Sequence, residues 1–265
     1  MNPLFLDHST VLITGASAGL GAEFARQIAP FARTLILVAR RLDRLEALKA
    51  ELSRPGLTIH CRQTDLADAA QVEALIGWIH ESGEPLNFLI NNAGLGDHGH
   101  FETSNWERIR QMLDVNIGAL TRLTHGLLPL LRRQPEAAIL NVSSIAGFMP
   151  IPNLGVYAAT KAYVTSFTES LRAELRETGV RVTTLCPGPS PTEFGRVARR
   201  SPDAQISAPD WFQVPPEKVV QDALVAVEAD RARVIPGWLV ATATILIAAA
   251  PMCLLRLAMN KQAQR

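Results

Sequence analysis

Cysteine, tyrosine and net charge are all scarce in this chain. Its 265 residues include three cysteines, Cys61, Cys186 and Cys253, odd in number and far apart. That pattern excludes a disulfide scaffold and offers no metal-ligand spacing, so reduced thiols in a reducing compartment are expected. Charge nearly cancels, with 26 Lys and Arg against 25 Asp and Glu. A balanced chain has no basic footprint for nucleic acid and no electrostatic case for other anionic partners. The first ten residues, MNPLFLDHST, lack a basic start and an apolar stretch of signal-peptide length, so a cytoplasmic protein is expected. Internal repeats and low-complexity linkers are missing as well, which favours a single domain.

What is present is an alternation. Short apolar runs at 10–15, 34–40, 57–68, 86–94, 137–144 and 180–188 are separated by amphipathic stretches at 18–32, 41–53, 69–82, 105–133 and 157–178. Strands that are apolar throughout suit a sheet covered on both faces, and regular β–α alternation implies right-handed crossovers. The expected fold is α/β, a doubly wound parallel sheet of Rossmann-like type. A helix at 215–229, opened by prolines, and a last strand at 232–237 complete a domain over 1–237, with an extension at 238–265. Ligands of such sheets bind beyond the carboxyl ends of the strands. That rule singles out 14–21, 39–41, 65–66, 91–97, 143–148 and 187–195.

The first of these segments reads TGASAGLG, with Gly15, Gly19 and Gly21 between the first strand and helix. Glycines there let the backbone turn tightly and approach a pyrophosphate at the helix N-terminus, where free N–H groups favour anions. The spacing departs from Gly-x-Gly-x2-Gly, so a glycine-rich turn binding nothing is the competing reading. The second strand ends at Ala39 and is followed by Arg40 and Arg41. An NAD site usually has an acidic residue near this point; two guanidiniums suit a 2′-phosphate instead. Two solvated arginines opening a helix are the alternative. NADP(H) is the expected cofactor.

The chain has only two tyrosines, and Tyr157 stands one helical turn before Lys161, so both side chains share a face. A phenol titrates near 10, too high for efficient proton exchange at neutral pH, and an ammonium beside it would lower that value. Ser144, thirteen residues upstream at a strand end, could donate to a substrate carbonyl oxygen as charge develops there. Together these groups suit carbonyl reduction or its reverse.

The ordered set TGASAGLG, NNAG (91–94), VN ending at Asn116, SS (143–144), YAATK and PGPSPT (187–192) resembles the short-chain dehydrogenase/reductase family across roughly residues 10–195. The resemblance implies an oxidoreductase with Tyr157 as general acid/base, Lys161 as its partner and a ribose ligand, and Ser144 orienting the carbonyl. Asn116 would hold a water that relays protons from Lys161. Cofactor contacts are implied for Ser17 and Leu20 in the turn, for Asp65 and Leu66 beside the adenine, and for Asn91, Ala93 and Gly94 along the adenosine. Pro187, Gly188 and Thr192 would flank the nicotinamide. Ser190 stands where the family usually has Val or Ile, and Pro191 constrains the backbone before Thr192. The resemblance also implies a homodimer or homotetramer through the helices beginning near Asn105 and Tyr157.

Three segments stay open. His98, His100 and Glu102 are close in sequence, but a third strong ligand is lacking; lining of a substrate pocket is the expected role, and no metal is expected. Residues 193–220 read as a mobile lid with Trp211 and Phe212 as anchor. Residues 239–255 carry no formal charge and are followed by Arg256, Lys261 and Arg265. This segment is expected either to pack on the pocket or a neighbouring subunit, or to associate with a membrane by insertion or by lying in its interface. The substrate is accordingly a small carbonyl or alcohol of apolar character. Two alternatives stand beside this reading: a membrane-associated reductase of lipid-derived 3-keto compounds, and a non-catalytic NADP-binding regulator.

Overall fold

The computed structural model describes residues 6–200 and 209–263. Seven strands form one parallel sheet in the order β3-β2-β1-β4-β5-β6-β7. They are β1 (Thr10–Thr14), β2 (Thr34–Ala39), β3 (Thr58–Gln63), β4 (Leu86–Asn91), β5 (Ala137–Val142), β6 (Val180–Leu185) and the short β7 (Arg233–Val234). Strands β1, β2 and β5 are buried at every residue, as their uninterrupted apolar runs require of a sheet covered on both faces. The cover comes from α1 (Gly19–Ile28), α2 (Leu42–Leu52), α3 (Ala69–Ser82), α4 (Trp106–Leu113), α5 (Leu120–Leu131), α6 (Gly155–Leu175), α7 (Glu193–Ala198) and α8 (Pro216–Glu228). One core layer, around Phe24, Leu37 and Phe88, lies between the sheet and α1, α2 and α8. The other, around Ile79, Leu123 and Leu127, lies beneath α3, α5 and α6.

Local chemistry sets the helix ends. Asp68 caps α3 by accepting from the Ala70 and Gln71 amides, and Gly83, at φ +67°, ends it in the left-handed region. Asn105 caps α4 in the same way. The expected helix at 105–133 is α4 and α5 joined through a π-helical segment, Asp114–Ala119. The wider turn re-aims Asn116 toward the carboxyl edge of β4, and such bulges recur at functional sites. The strand order reverses between β1 and β4, which opens the crevice of a doubly wound sheet there.

The C-terminal extension folds as α9 (Trp238–Ala249) and α10 (Met252–Ala263). Pro251 breaks the apolar segment, because the residue before a proline favours extended backbone and Ala250 adopts it (ψ 134°). Among the described residues no helix is long and apolar enough to cross a membrane. Val240 is 1% exposed and joins the core beside Val214. A Cβ at Gly188 would stand 2.7 Å from the Val240 side chain, so α9 packs directly on the loop after β6. Its other side is open, with Ile245 62% and Leu246 67% exposed. Arg265 and the lid residues 201–208 lie outside the described residues.

Candidate active site

The carboxyl ends of β1, β2, β4, β5 and β6 converge on one cavity of about 920 Å³. At its floor is the glycine turn. Gly15 has φ +68°, and a Cβ there would stand 2.9 Å from the Ala93 Cα; a Cβ at Gly21 would collide with the Gly15 carbonyl. Glycine is therefore required at both positions to keep the first turn of α1 against the end of β4. Asn92 locks that contact: its side-chain amide donates to the Thr14 carbonyl at 2.9 Å, and its backbone N–H donates to Thr14 Oγ1 at 3.0 Å.

Gly15, Ser17, Gly19, Leu20, Arg40, Arg41, Asp65, Leu66, Ala93, Gly94, Pro187, Gly188 and Thr192 all line the cavity, as do Ser144, Tyr157 and Lys161. Thr192 reaches the turn despite Pro191, its Cβ 3.4 Å from where a Gly19 Cβ would lie. Three expected residues stand behind the wall. Gly21 is buried beneath the turn. Asn91 is 2% exposed, and its amide donates to Thr124 Oγ1 (3.0 Å) and Asn141 Oδ1 (2.9 Å). As the last residue of β4, with its side chain turned into the α5 layer, it ties β4 to β5 and α5 through its side chain. Asn116 is also fully buried. Its Oδ1 accepts from the Leu95 N–H at 2.8 Å, and its Nδ2 donates to the Leu95 carbonyl at 2.9 Å and to Thr160 Oγ1 at 3.0 Å. It nonetheless flanks the same glycine as Lys161: a Cβ at Gly94 would lie 3.3 Å from Lys161 Nζ and 3.6 Å from Asn116 Oδ1.

Tyr157 and Lys161 project from α6 onto the ends of β4 and β5. Ser144, in extended backbone, accepts from the Ala146 N–H at 3.1 Å and starts a single 3₁₀ turn, so it is a capping residue as well as a wall of the site. Lys161 Nζ donates to the Val142 carbonyl at 2.9 Å and lies 5.7 Å from the centre of the Tyr157 ring. Ser143 braces the helix beneath by donating to the Lys161 carbonyl at 2.8 Å.

The expected lowering of the phenol by Lys161 is corrected here. Burial pushes Tyr157 up to about 12, opposed by its hydrogen bond with Ser144. Burial also lowers Lys161 to about 8. Desolvation outweighs pair attraction because both groups are enclosed and the ammonium is spent on the Val142 carbonyl. A phenol is protonated at neutral pH with or without this shift, which leaves Tyr157 in that form and makes it a weaker acid.

The buried lysine also has a stability consequence. Below pH 8 Lys161 is charged in both folded and unfolded chains, and the folded chain bears the desolvation cost. Between about pH 8 and its ordinary value the folded state has released a proton the unfolded state keeps, so stability from this group rises with pH. Lys161→Met is therefore expected to stabilise the protein by about 2 kcal/mol at pH 7. That gain should shrink toward pH 10; urea unfolding at both values measures it, and a loss of stability at pH 7 would contradict the assignment.

The sequence places a lid at 193–220 with Trp211 and Phe212 as its anchor, but gives no sign of the part played by Phe194. Phe194, the second residue of α7, tilts over Tyr157 with ring centres 5.3 Å apart. Its ring rests where a Gly96 side chain would be, 2.8 Å from that Cβ position. The far end of α7 is pinned by Arg200, which donates to both oxygens of Asp97 (2.9 and 2.5 Å), a carboxylate whose side chain is 3% exposed. Arg108 adds a 3.0 Å ion pair to Asp97. His98 lines the cavity and is lowered mainly by burial. Among the described residues no group of three His, Cys, Asp or Glu could hold a metal.

The family model described as short chain dehydrogenase matches residues 9–203. The chain belongs to the short-chain dehydrogenase family. It is 42% identical over 189 residues to a sulfoacetaldehyde reductase of Chromohalobacter salexigens, covering 69% of this chain and 73% of that protein. Among solved structures it resembles a short-chain dehydrogenase from Sphingobium yanoikuyae in complex with NADPH. That match has a TM-score of 0.79 and 32% identity, over 94% of this chain and 95% of that one. A short-chain dehydrogenase/reductase from Burkholderia phymatum in complex with NAD matches at TM-score 0.80 and 26% identity, over 91% and 93% of the two chains. This short-chain dehydrogenase is accordingly an oxidoreductase of a carbonyl–alcohol pair. Of these two solved structures, one is in complex with NADPH and the other with NAD.

Proposed function

We propose that the protein is an NADP(H)-dependent reductase of a ketone or aldehyde, with Tyr157 as the proton donor. The observation that carries this reading is the single cavity shared by Ser144, Tyr157 and Lys161 with the glycine turn, Arg40 and Arg41. The groups fit a phosphorylated dinucleotide. The turn is a cradle that side chains at Gly15 and Gly21 would fill, and Arg40 carries no ion pair with any described carboxylate, leaving its cation for a phosphate. Gly15 to Leu20 would hold the pyrophosphate, Arg40 and Arg41 the 2′-phosphate, Asp65 and Leu66 the adenine side, and Lys161 the ribose. Bound there, the nicotinamide supplies a hydride.

The remaining steps belong to the chain. Ser144 donates to the substrate oxygen, which fixes the carbonyl and stabilises its developing charge. Tyr157, protonated at neutral pH, delivers the proton to that oxygen. Lys161 restores the proton, with Asn116 next to it at the π-helical turn as the path's second member. Phe194 and α7 keep water from the reacting centre. Catalysis here is positioning and pre-set polarity rather than covalent chemistry.

The similarity to a sulfoacetaldehyde reductase suggests a small aldehyde bearing an anionic group. A second cavity of about 400 Å³, walled by Phe101, Met112, Ile151 and Val156 and joined through Ile151 and Pro152, favours an apolar substrate tail instead. With the exposed apolar side of α9 it supports the second reading, a lipid-directed reductase resting on a membrane interface in a cytoplasmic setting. Exposed Trp106 on α4 supports assembly as a homodimer or homotetramer. A panel with NADPH separates these readings: sulfoacetaldehyde, small ketones, and long-chain 3-keto compounds offered in vesicles. The main reading expects NADPH oxidation on small carbonyls, and faster turnover of the vesicle-borne compounds supports the second. Tight NADPH binding with no turnover of any member contradicts both and leaves the regulatory alternative.

A further inference from the structure

Beyond β2 the guanidiniums are not all free. Glu193, the first residue of α7, places one carboxylate oxygen 3.3 Å from Arg41 Nη1 and 2.9 Å from Arg44 Nη1. Its other oxygen accepts from Arg196 Nη2 at 3.0 Å. Arg41 also donates to Ser17 Oγ of the glycine turn at 3.1 Å. Three guanidiniums thus surround a single carboxylate at the mouth of the cavity, and they hold that carboxylate below the usual range through the Arg44 and Arg41 hydrogen bonds.

A carboxylate and a phosphate monoester are recognised by the same forked donors. We propose that Glu193 is a built-in competitor for the adenosine 2′-phosphate, and that Arg44 is a further residue of the set that selects NADP(H). This rests on the cofactor reading above and deepens it. The carboxylate carries one charge, while a phosphate monoester carries nearly two and offers three acceptor oxygens. The phosphate therefore displaces the carboxylate from Arg41 and Arg44, and only a 2′-phosphorylated dinucleotide has the group to do so. NAD(H) leaves the latch closed.

The two ends of α7 are held differently. The Glu193 pairs are largely exposed (side chains 32–43% accessible) and screened by salt. The Asp97–Arg200 pair at the other end is enclosed. Exchange at the latch thus parts Glu193 from Arg41 and Arg44, while the Asp97–Arg200 pair keeps α7 and Phe194 in place over the site. The residue that the phosphate displaces is covalently next to the ring covering Tyr157.

Isothermal titration of the full chain with NADP+ and with NAD+ tests this. Glu193→Gln keeps the shape and removes the competing charge; it is expected to tighten NADP+ about three- to tenfold and to leave NAD+ within about twofold. Arg44→Ala is expected to weaken NADP+ about tenfold with NAD+ again unchanged. Glu193→Gln that leaves NADP+ binding unchanged or weaker, or that tightens both dinucleotides equally, overturns the competition. Wild-type protein that binds NAD+ as tightly as NADP+ overturns the cofactor reading itself. The two failures are read from different rows of one experiment.

Discussion

Tyr157→Phe is expected to lower kcat by about 10³-fold while leaving the NADPH dissociation constant within about twofold. The substitution removes one oxygen from a ring that is otherwise packed, against Phe194 above and the Met112 and Ala146 cluster beside it. The ring stays, so the cavity and its covering helix should stay. What goes is the phenolic proton donor that is hydrogen-bonded to Ser144. Steady-state rates with NADPH and a turned-over carbonyl, together with fluorescence titration of NADPH, measure the two halves separately. A variant with wild-type kcat would remove Tyr157 from the chemistry. A variant with lost binding would mark it as structural.

The second large effect concerns cofactor choice. Arg40→Ala combined with Arg41→Ala is expected to weaken NADP+ about 100-fold and NAD+ less than about threefold, since each guanidinium lost is a charge-assisted bond lost to the phosphate alone. Arg40 has no described carboxylate to neutralise it, whereas Arg41 is shared with Ser17 and Glu193. The two single substitutions should therefore differ, with Arg40→Ala showing the phosphate's share more cleanly. Equal losses for both dinucleotides would sink the 2′-phosphate assignment.

Much of this architecture could be read from the chain before any coordinates. Strands such as TLILVA announce a doubly covered sheet because five consecutive residues, Leu35 to Ala39, are apolar, and the alternation with helices leaves little choice of topology. Tyr157, Lys161 and Ser144 were legible for a related reason: one helical turn and one strand end are local features, and the topology brings them together. Other parts depend on contacts that local pattern does not encode. Asn91 reads as part of a binding motif, yet the pleat of β4 directs it to Thr124 and Asn141. Asn92, one residue on, makes the contact with the glycine turn.

The Tyr157–Lys161 spacing correctly placed both groups in one site but gave the wrong sign for the phenol. Spacing shows proximity, while the shift depends on enclosure and on where the ammonium is spent. The π-helical segment at Asn116 left no periodicity signal inside a long amphipathic run. The Glu193 latch joins residues about 150 positions apart. Phe194 over Tyr157 has no counterpart in either local pattern. The C-terminal segment was ambiguous for a different reason. Its apolar length is borderline for a span, and Pro251 divides it into two short helices.

The account's central claim is that hydride from NADPH reaches a carbonyl carbon in this cavity while Tyr157 supplies the proton. Reduction with NADPH deuterated at the transferable C4 position, in ordinary water, tests it most directly. The expected product is an alcohol carrying one deuterium on the carbinol carbon and a solvent proton on oxygen, formed about 10³-fold more slowly by the Tyr157→Phe variant. An alcohol without the label, or NADPH consumed with no alcohol formed, would contradict it.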